Sequence, residues 1–457
     1  MKVHFVGIGG AGLSAIATVL LERGHTVSGS DMQSSEFTSR LEKAGAIVSI
    51  GHRDENIAGA ELVVISSAIP TDNPEVQAAQ AASIPVIKRQ QYLGQLMAGR
   101  KGIAVAGTHG KTTTSALLAY TLQHAGKDPS FIVGGVLADL DTNARHGDGE
   151  YFVIEADEYD RMFLGLNPTV AIVTNVEHDH PDDYPTHAEM TAAFDEFAQR
   201  IAPDGCLIVC ADDQTAAHIG VAAQGRGQRV LTYTLGAVAE WRAEELQTNG
   251  AGGHDFLVVH AEETLGLARI RLPGEHNVSN ALAVLAALDF IGIPFDVALD
   301  GLRDFRGVGR RFEVKGEVAG VTVVDDYAHH PTEIRATLAG ARRRYPGRAI
   351  WAMFQPHTFS RTQELLMNFA ASFDDADHVL VTEIFASRES DIGAIKAQDL
   401  VAAMDHSDAK FVADLPQVAN LLSEQLRSGD VLITLGAGDS HTVADAVVRS
   451  LQSRVLN

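Results

Sequence analysis

Short apolar runs at residues 3–6, 26–29, 46–50, 62–66 and 86–87 alternate with helix-like stretches, the pattern of a parallel sheet with crossover helices. The spacing predicts a Rossmann-like first domain over 1–99, closed by a helix at 91–100. A fresh apolar strand at 102–106 opens a second unit, 100–308. It continues through apolar strands at 152–154, 170–173 and 206–209, hairpin-like strands within 256–271, an Ala/Leu-rich helix at 278–290 and a shorter helix at 297–302. After Arg310-Arg311-Phe312 the alternation restarts, with strands at 321–325, 349–354, 378–381 and 431–434 and helices at 331–344, 363–373 and 417–425. That is a third unit, 309–457. The expected class is α/β in three domains: an N-terminal Rossmann-like domain, a central P-loop-type domain and a C-terminal Rossmann-like domain. A length of 457 residues suits three cores at roughly 150 residues each. The segment Thr248-Asn-Gly-Ala-Gly-Gly253 is expected to be an exposed loop.

Composition narrows the partners. Acidic residues outnumber basic ones 59 to 36, a formal net charge of -23, which argues against nucleic acid held on a broad basic surface. The local exception is the stretch 303–315, whose Arg303, Arg306, Arg310, Arg311 and Lys315 suit a small phosphorylated ligand. Cys206 and Cys210, spaced to share one face of a strand, are expected to be buried thiols, because no further Cys or Cys/His pair completes a zinc set. No apolar run approaches the roughly 20 residues of a membrane span, and no charged-then-apolar leader precedes the first strand. A cytoplasmic location without membrane insertion is the expectation.

The ends of several strands carry the chemistry. The strand at 3–6 runs into Gly7-Ile-Gly9-Gly10-Ala-Gly12 and a helix, and Ser30-Asp31 ends the next strand, a nucleotide-diphosphate fingerprint in the required register. The strand at 103–106 delivers Gly107-Thr108-His109-Gly110-Lys111-Thr112-Thr113 to a helix N-terminus. There, backbone amides and the helix dipole hold triphosphate oxygens, Lys111 neutralises the terminal phosphates and the Thr112 hydroxyl helps hold Mg²⁺. The loop is a shortened variant, since Val105 stands where the standard P-loop has glycine. The next strands end in Glu155-Ala-Asp157-Glu158-Tyr-Asp160 and Thr174-Asn175-Val-Glu177-His178-Asp179-His180, placing Glu155 and His180 to hold metal between ATP and a second substrate. Asp182-Asp183 is better read as a solvated loop.

Farther on, Gly274-Glu275-His276-Asn277-Val-Ser-Asn280 opens a helix with groups suited to a base edge or to capping. Asp325-Asp326-Tyr327-Ala-His329-His330-Pro331 and Gln355-Pro-His357-Thr358-Phe-Ser-Arg361-Thr362 each follow a strand of the third unit.

Taken together, GIGGAG, GTHGKTT, EADEYD, TNVEHDH, LPGEHNVSN, GVGRRF, DDYAHHPTE and FQPHTFSRT resemble the Mur ligases over nearly the whole chain. The resemblance implies an ATP-dependent ligase of peptidoglycan precursor synthesis. The muramate carboxylate of UDP-N-acetylmuramate would attack the ATP γ-phosphate, and L-alanine would displace phosphate from the acyl phosphate. It implies that 1–99 bind the UDP substrate through Gly9, Gly10, Ser30, Asp31, His52, Ser66 and Ser67. It further implies that 100–308 bind ATP and Mg²⁺, with Mn²⁺ able to stand in, and that 309–457 bind the amino acid. Gly107 to Thr113 would cradle phosphates, with Thr112, Glu155 and His180 as metal ligands. His276, Asn277 and Asn280 would contact adenine, Arg310 or Arg311 the phosphates, and Asp325 or Asp326 the ribose. Tyr327, His329 and Arg361 would line the amino-acid site, and Lys111, Glu155, His180, His329 and Arg361 are the catalytic set.

Several Mur ligases hold a second metal with a carbamylated central lysine, yet no lysine lies between Lys127 and Lys315, as in the alanine-adding branch. EADEYD also resembles the murein-recycling ligase that attaches a tripeptide, which carries a longer insert before the TN motif; the short form stands here. Thr358 occupies a position where some alanine-adding relatives have arginine. The assembly is expected to be a monomer or a homodimer.

Overall fold

A computed structural model describes residues 1–66, 68–236, 238–387 and 389–456. Among them, the strands form three sheets. The first is five-stranded and wholly parallel, with Lys2–Val6 at its centre, flanked by Thr26–Asp31 and Leu62–Ile65 and edged by Ile47–Ile50 and Val86–Lys88. The second has ten strands. Its parallel centre sets Lys101–Ala106 between Val170–Val173 and Tyr151–Glu155, so the phosphate loop and both acidic clusters leave one edge side by side. The third has six strands, with Val431–Leu435 between Val321–Asp326 and Ile350–Phe354.

The sequence expectation of α/β domains is met, with local differences. Two strands at one edge of the central sheet, Ser130–Leu137 and Thr142–Arg145, are not among the expected elements, because Gly134 and Gly135 break the apolar run. The helix expected at 363–373 is two short helices, Phe359–Glu364 and Leu366–Ala370, broken at Leu365. Cys206 and Cys210 are free, buried and on one strand, as expected, and burial pushes the Cys206 thiol up to about 11. Among the described residues no helix is long and apolar enough to cross a membrane.

The two seams between sheets differ in chemistry. One apolar cluster runs from the first sheet into the second, joining Tyr92, Leu93 and Leu96 of the helix Arg89–Leu96 and the following Met97 to Phe163, Leu164 and Leu166. Between the second and third sheets the contacts are polar. Arg361 reaches Asp179, His109 reaches Glu333, His178 reaches Glu364 and Arg343 reaches Glu275. The apolar clusters of the third sheet stay within residues 321–451.

Candidate functional site

Two cavities open on the polar seam. The larger, about 300 Å³, is lined by His109, Gly110, Thr112, Thr113, Asn175, His276, Asn277, Asn280, Arg311 and Asp326. The smaller, about 140 Å³, is lined by His180, Tyr327, His329, His357, Thr358, Ser360, Arg361 and Glu389. Glu333 lines the first, and its carboxylate accepts the backbone N–H of His329, which lines the second, at 3.0 Å.

The phosphate loop is built by backbone necessity. Gly110 caps the helix Lys111–His124 with a left-handed φ of 82°, and Gly107, at φ 138°, leaves no room for a Cβ, which would lie 2.0 Å from Thr174 Oγ1. Thr174 Oγ1 donates to the His109 carbonyl at 2.6 Å, and Asn175 both accepts from the His109 N–H at 2.8 Å and donates to its carbonyl. The TN motif therefore fixes the loop's shape rather than meeting a ligand first. Lys111 folds back onto the Gly107 and Thr108 carbonyls and onto Glu158, 2.9 Å away. Burial alone would lower the Lys111 ammonium, but Glu158 and Asp157 more than offset it and hold it above its usual range.

Of the expected metal ligands, the structure joins two directly. Thr112 Oγ1 donates to Glu155 at 2.8 Å, and Glu155 also accepts from the Gly134 N–H; burial pushes its carboxyl up. His180 stands in a neighbouring group. Its Nε2 lies 3.7 Å from Glu158 and 3.6 Å from Asp179, on a backbone at φ 55°. Glu158, buried and shared between Lys111 and His180, is one residue that sequence reasoning missed; only its place in EADEYD pointed to it.

The stretch 303–315 is corrected by the structure: only Arg311 reaches the larger cavity. Arg303 pairs with Asp300 and Asp304, Arg306 with Asp139 and Lys315 with Asp445. Arg310 is committed to Asp325 at 3.1 Å and to the Gly436 and Gly438 carbonyls. Asp325 is fully buried and also accepts from Thr434, so of the two expected pairs Arg311 and Asp326 line the cavity. Burial raises the Asp326 carboxyl to about 6. Gly274, at φ 91°, lets the His276 ring fold close, and the crowded cleft wall around this solvent-exposed ring lowers its imidazole to about 4. Asn277, in the first turn of the helix Glu275–Phe290, spends its amide on the Pro273 carbonyl at 2.7 Å, and Asn280 donates to Asn277.

In the smaller cavity, Arg361 Nε and Nη2 both donate to Asp179 Oδ1, at 3.0 and 2.7 Å, and Nη1 faces His357. Burial would raise Asp179, but His180, Arg361 and His329 hold its carboxyl below the usual range. His329 is half-buried, and desolvation lowers its imidazole to about 3, with Nδ1 3.1 Å from the Tyr327 carbonyl. Glu389, unseen in the sequence, accepts from the Phe359 and Ser360 N–H groups. Thr358 begins that turn at φ 64°.

At the first sheet the expected residues are engaged with one another. The Gly9 N–H is taken by Asp31 at 2.9 Å, where a diphosphate oxygen was expected. Ser30 is fully buried and, with His52, His4 and Asn56, surrounds the Glu75 carboxylate. Burial would raise Glu75, but those hydrogen bonds hold it at about 2; the cluster braces the strand ends instead of facing an open cleft. Gly10 remains exposed and starts the helix Ala11–Glu22 without a side-chain cap, leaving its first amides open. Ser66 is half-buried beside Gly7, and Ser67 lies outside the described residues. Arg89, missed in the sequence, lies where a Gly12 side chain would be and reaches Asp157 at 3.4 Å.

Comparison with known proteins agrees with this geometry. Residues 2–101 match the Mur ligase family catalytic domain, 105–288 the Mur ligase middle domain and 310–438 the Mur ligase glutamate ligase domain. A UDP-N-acetylmuramate--L-alanine ligase of Anaeromyxobacter dehalogenans is 45% identical over 96% of this chain and 95% of its own length. That of Caldanaerobacter subterraneus is 42% identical over 97% and 96%. Among solved structures, the UDP-N-acetylmuramate-alanine ligase of Thermotoga maritima superposes with a TM-score of 0.85 at 31% identity, covering 99% of this chain and 100% of the other. A murein peptide ligase of Psychrobacter arcticus superposes at 0.74 and 27% identity, covering 99% and 98%. With three consecutive family domains matched and relatives above 40% identity spanning nearly its whole length, the chain belongs to the Mur ligase family.

Proposed function

We propose that this chain joins L-alanine to UDP-N-acetylmuramate, with ATP converted to ADP and phosphate. The observation that carries the reading is the pair of cavities on one seam, a nucleotide-sized cleft over the phosphate loop and a small pocket ending in Arg361, separated by the Glu333–His329 contact. The relatives named above carry the same activity in their names, and the smaller pocket is on the scale of an amino acid rather than a tripeptide. The tripeptide-recycling reading is therefore not favoured.

In this reading, residues 1–99 take the UDP substrate, 100–308 the nucleotide and 309–457 the amino acid. Lys111 releases Glu158 to neutralise the terminal phosphates, Arg311 adds a second positive charge, Asp326 faces the ribose, and His276 and Asn280 face the base. The muramate carboxylate attacks the γ-phosphorus and ADP leaves; the alanine nitrogen then attacks the acyl carbon and phosphate leaves. Positioning of three substrates and offset of negative charge supply the rate. Arg361 holds the alanine carboxylate through the guanidinium edge not spent on Asp179.

The Thr112 hydroxyl and Glu155 carboxylate, in contact at the loop, are an all-oxygen pair that fits Mg²⁺, which prefers such donors and keeps several waters. They would hold it, with His180 nearby, and Mn²⁺ shares the donor preference. Bound there, the ion supplies charge neutralisation at the phosphate oxygens.

ADP release by the purified chain with UDP-N-acetylmuramate tests the reading. Turnover is expected to require L-alanine; turnover requiring the tripeptide, with no response to L-alanine, overturns it.

A further inference from the structure

Four side chains meet on the polar seam beside the phosphate loop. His109 Nε2 lies 3.3 Å from Glu177 Oε2, and its Nδ1 lies 3.1 Å from Glu333 Oε1. His330 Nδ1 lies 3.6 Å from the same Glu177 oxygen, and the two imidazole centroids are 4.7 Å apart. One nitrogen or oxygen from each of His109, Glu177 and His330 falls within 4.8 Å of the others.

His330 caps the helix Pro331–Arg344, its Nδ1 accepting from the Thr332 N–H at 3.4 Å. That nitrogen has a single lone pair, held only by this long contact, and a Glu177 oxygen lies 3.6 Å away, so an ion bound between them would take the lone pair in place of the Thr332 N–H. Burial and the neighbouring His109 lower the His330 imidazole to about 4, so a proton does not compete for it near neutral pH. The donors are also held from behind. Glu177 Oε2 accepts from Thr332 Oγ1 at 2.8 Å, and His109 Nδ1 is bonded to Glu333, the carboxylate backing that metal-bound imidazoles use to fix tautomer and orientation.

We propose that His109 Nε2, Glu177 Oε2 and His330 Nδ1 bind a first-row transition-metal ion of the zinc class, with Glu333 orienting His109. Two imidazoles and one carboxylate suit zinc, cobalt or nickel rather than magnesium, and three protein ligands leave a fourth position open. On binding, His109 Nε2 releases its proton to solvent, so affinity falls with falling pH. The ion ties the phosphate loop and the segment after Val170–Val173 to the first turn of Pro331–Arg344, pinning the seam shut. It is separate from the Thr112–Glu155 pair and does not rest on the ligation reading.

The test is titration of Co²⁺ into the full chain, free of nucleotide and Mg²⁺. The wild type is expected to develop the intense visible band of four-coordinate Co²⁺, bleached by one equivalent of Zn²⁺, and to melt higher with Zn²⁺ present. His330→Asn keeps an N-cap residue while removing the imidazole, and Glu177→Gln removes the charge; each is expected to weaken the intense band's affinity by at least about tenfold and to lose the Zn²⁺-dependent rise in melting. A wild type with no intense band, or equal bands and equal affinities in both variants, overturns the proposal. Because binding is read without turnover, neither result bears on the ligation assay.

Discussion

Lys111→Ala separates the structural from the chemical part of the phosphate loop. In the nucleotide-free fold the lysine side chain is 14% exposed and Glu158 is 1% exposed, with their charges 2.9 Å apart. Removing one partner of such a pair leaves an uncompensated buried charge, at a cost of about 3–5 kcal/mol. For domains of this size that corresponds to a melting transition lowered by roughly 10 °C. The assay is calorimetry on Lys111→Ala and on the double variant Lys111→Ala/Glu158→Gln, paired with ADP release. The single variant melts low and loses at least about a hundredfold in turnover, the scale of a lost transition-state charge contact. The double variant recovers most of the stability and none of the activity. Wild-type stability in the single variant would refute the buried-pair reasoning, and restored turnover in the double variant would refute the role of Lys111 on phosphate.

Three further outcomes follow from the geometry. Burial would lower His109, but Glu177 and Glu333 raise it from 6.5 to about 9. Its charge therefore stabilises the fold fully below about 6.5, and that contribution, on the order of 3 kcal/mol at most, is lost as pH rises through about 9; melting of the wild type should fall over this window more steeply than that of His109→Asn. Arg311→Ala should raise the KM for ATP roughly tenfold, the scale of one charged hydrogen bond, with little change in melting. Arg310→Ala should instead lower the melting temperature by leaving Asp325 buried without its cation, as thermal scans of the two variants would show. Gly107→Ala forces a Cβ to within 2.0 Å of Thr174 Oγ1 at φ 138°, a strain of about 2 kcal/mol. Equilibrium dialysis should show weakened ATP binding, and undiminished binding would mean that the loop reshapes freely.

The sheets were legible because their central strands are buried on both faces and read as continuous apolar runs, as in Val170–Val173 and Val431–Leu435. Where a glycine pair interrupts the apolar run the signal faded, and Ser130–Leu137, with exposed Gly134 at its centre, went unread. Lys111, Thr112 and Glu155 were legible because their chemistry is local to a strand end. Glu158, Asp179, Glu333 and Glu389 were not. Each acts through a partner between 29 and 224 positions away in sequence, and nothing local marks a carboxylate whose cation arrives from another element. The same blindness to partners left Arg310 and Arg311 equivalent until Asp325 was seen to claim one of them.

The contrast between the two seams reaches beyond catalysis. An apolar seam such as Tyr92 against Phe163 is specified by shape, so altering one side demands repacking the other. A seam of ion pairs with water-accessible edges tolerates exchange of its far partner as long as a few charges recur. The third domain is thereby interchangeable in a way the first is not. On the proposed reading, a new amino-acid specificity would be acquired by replacing the part that carries Tyr327, His329 and Arg361, while the nucleotide machinery and its fused neighbour pass on unchanged.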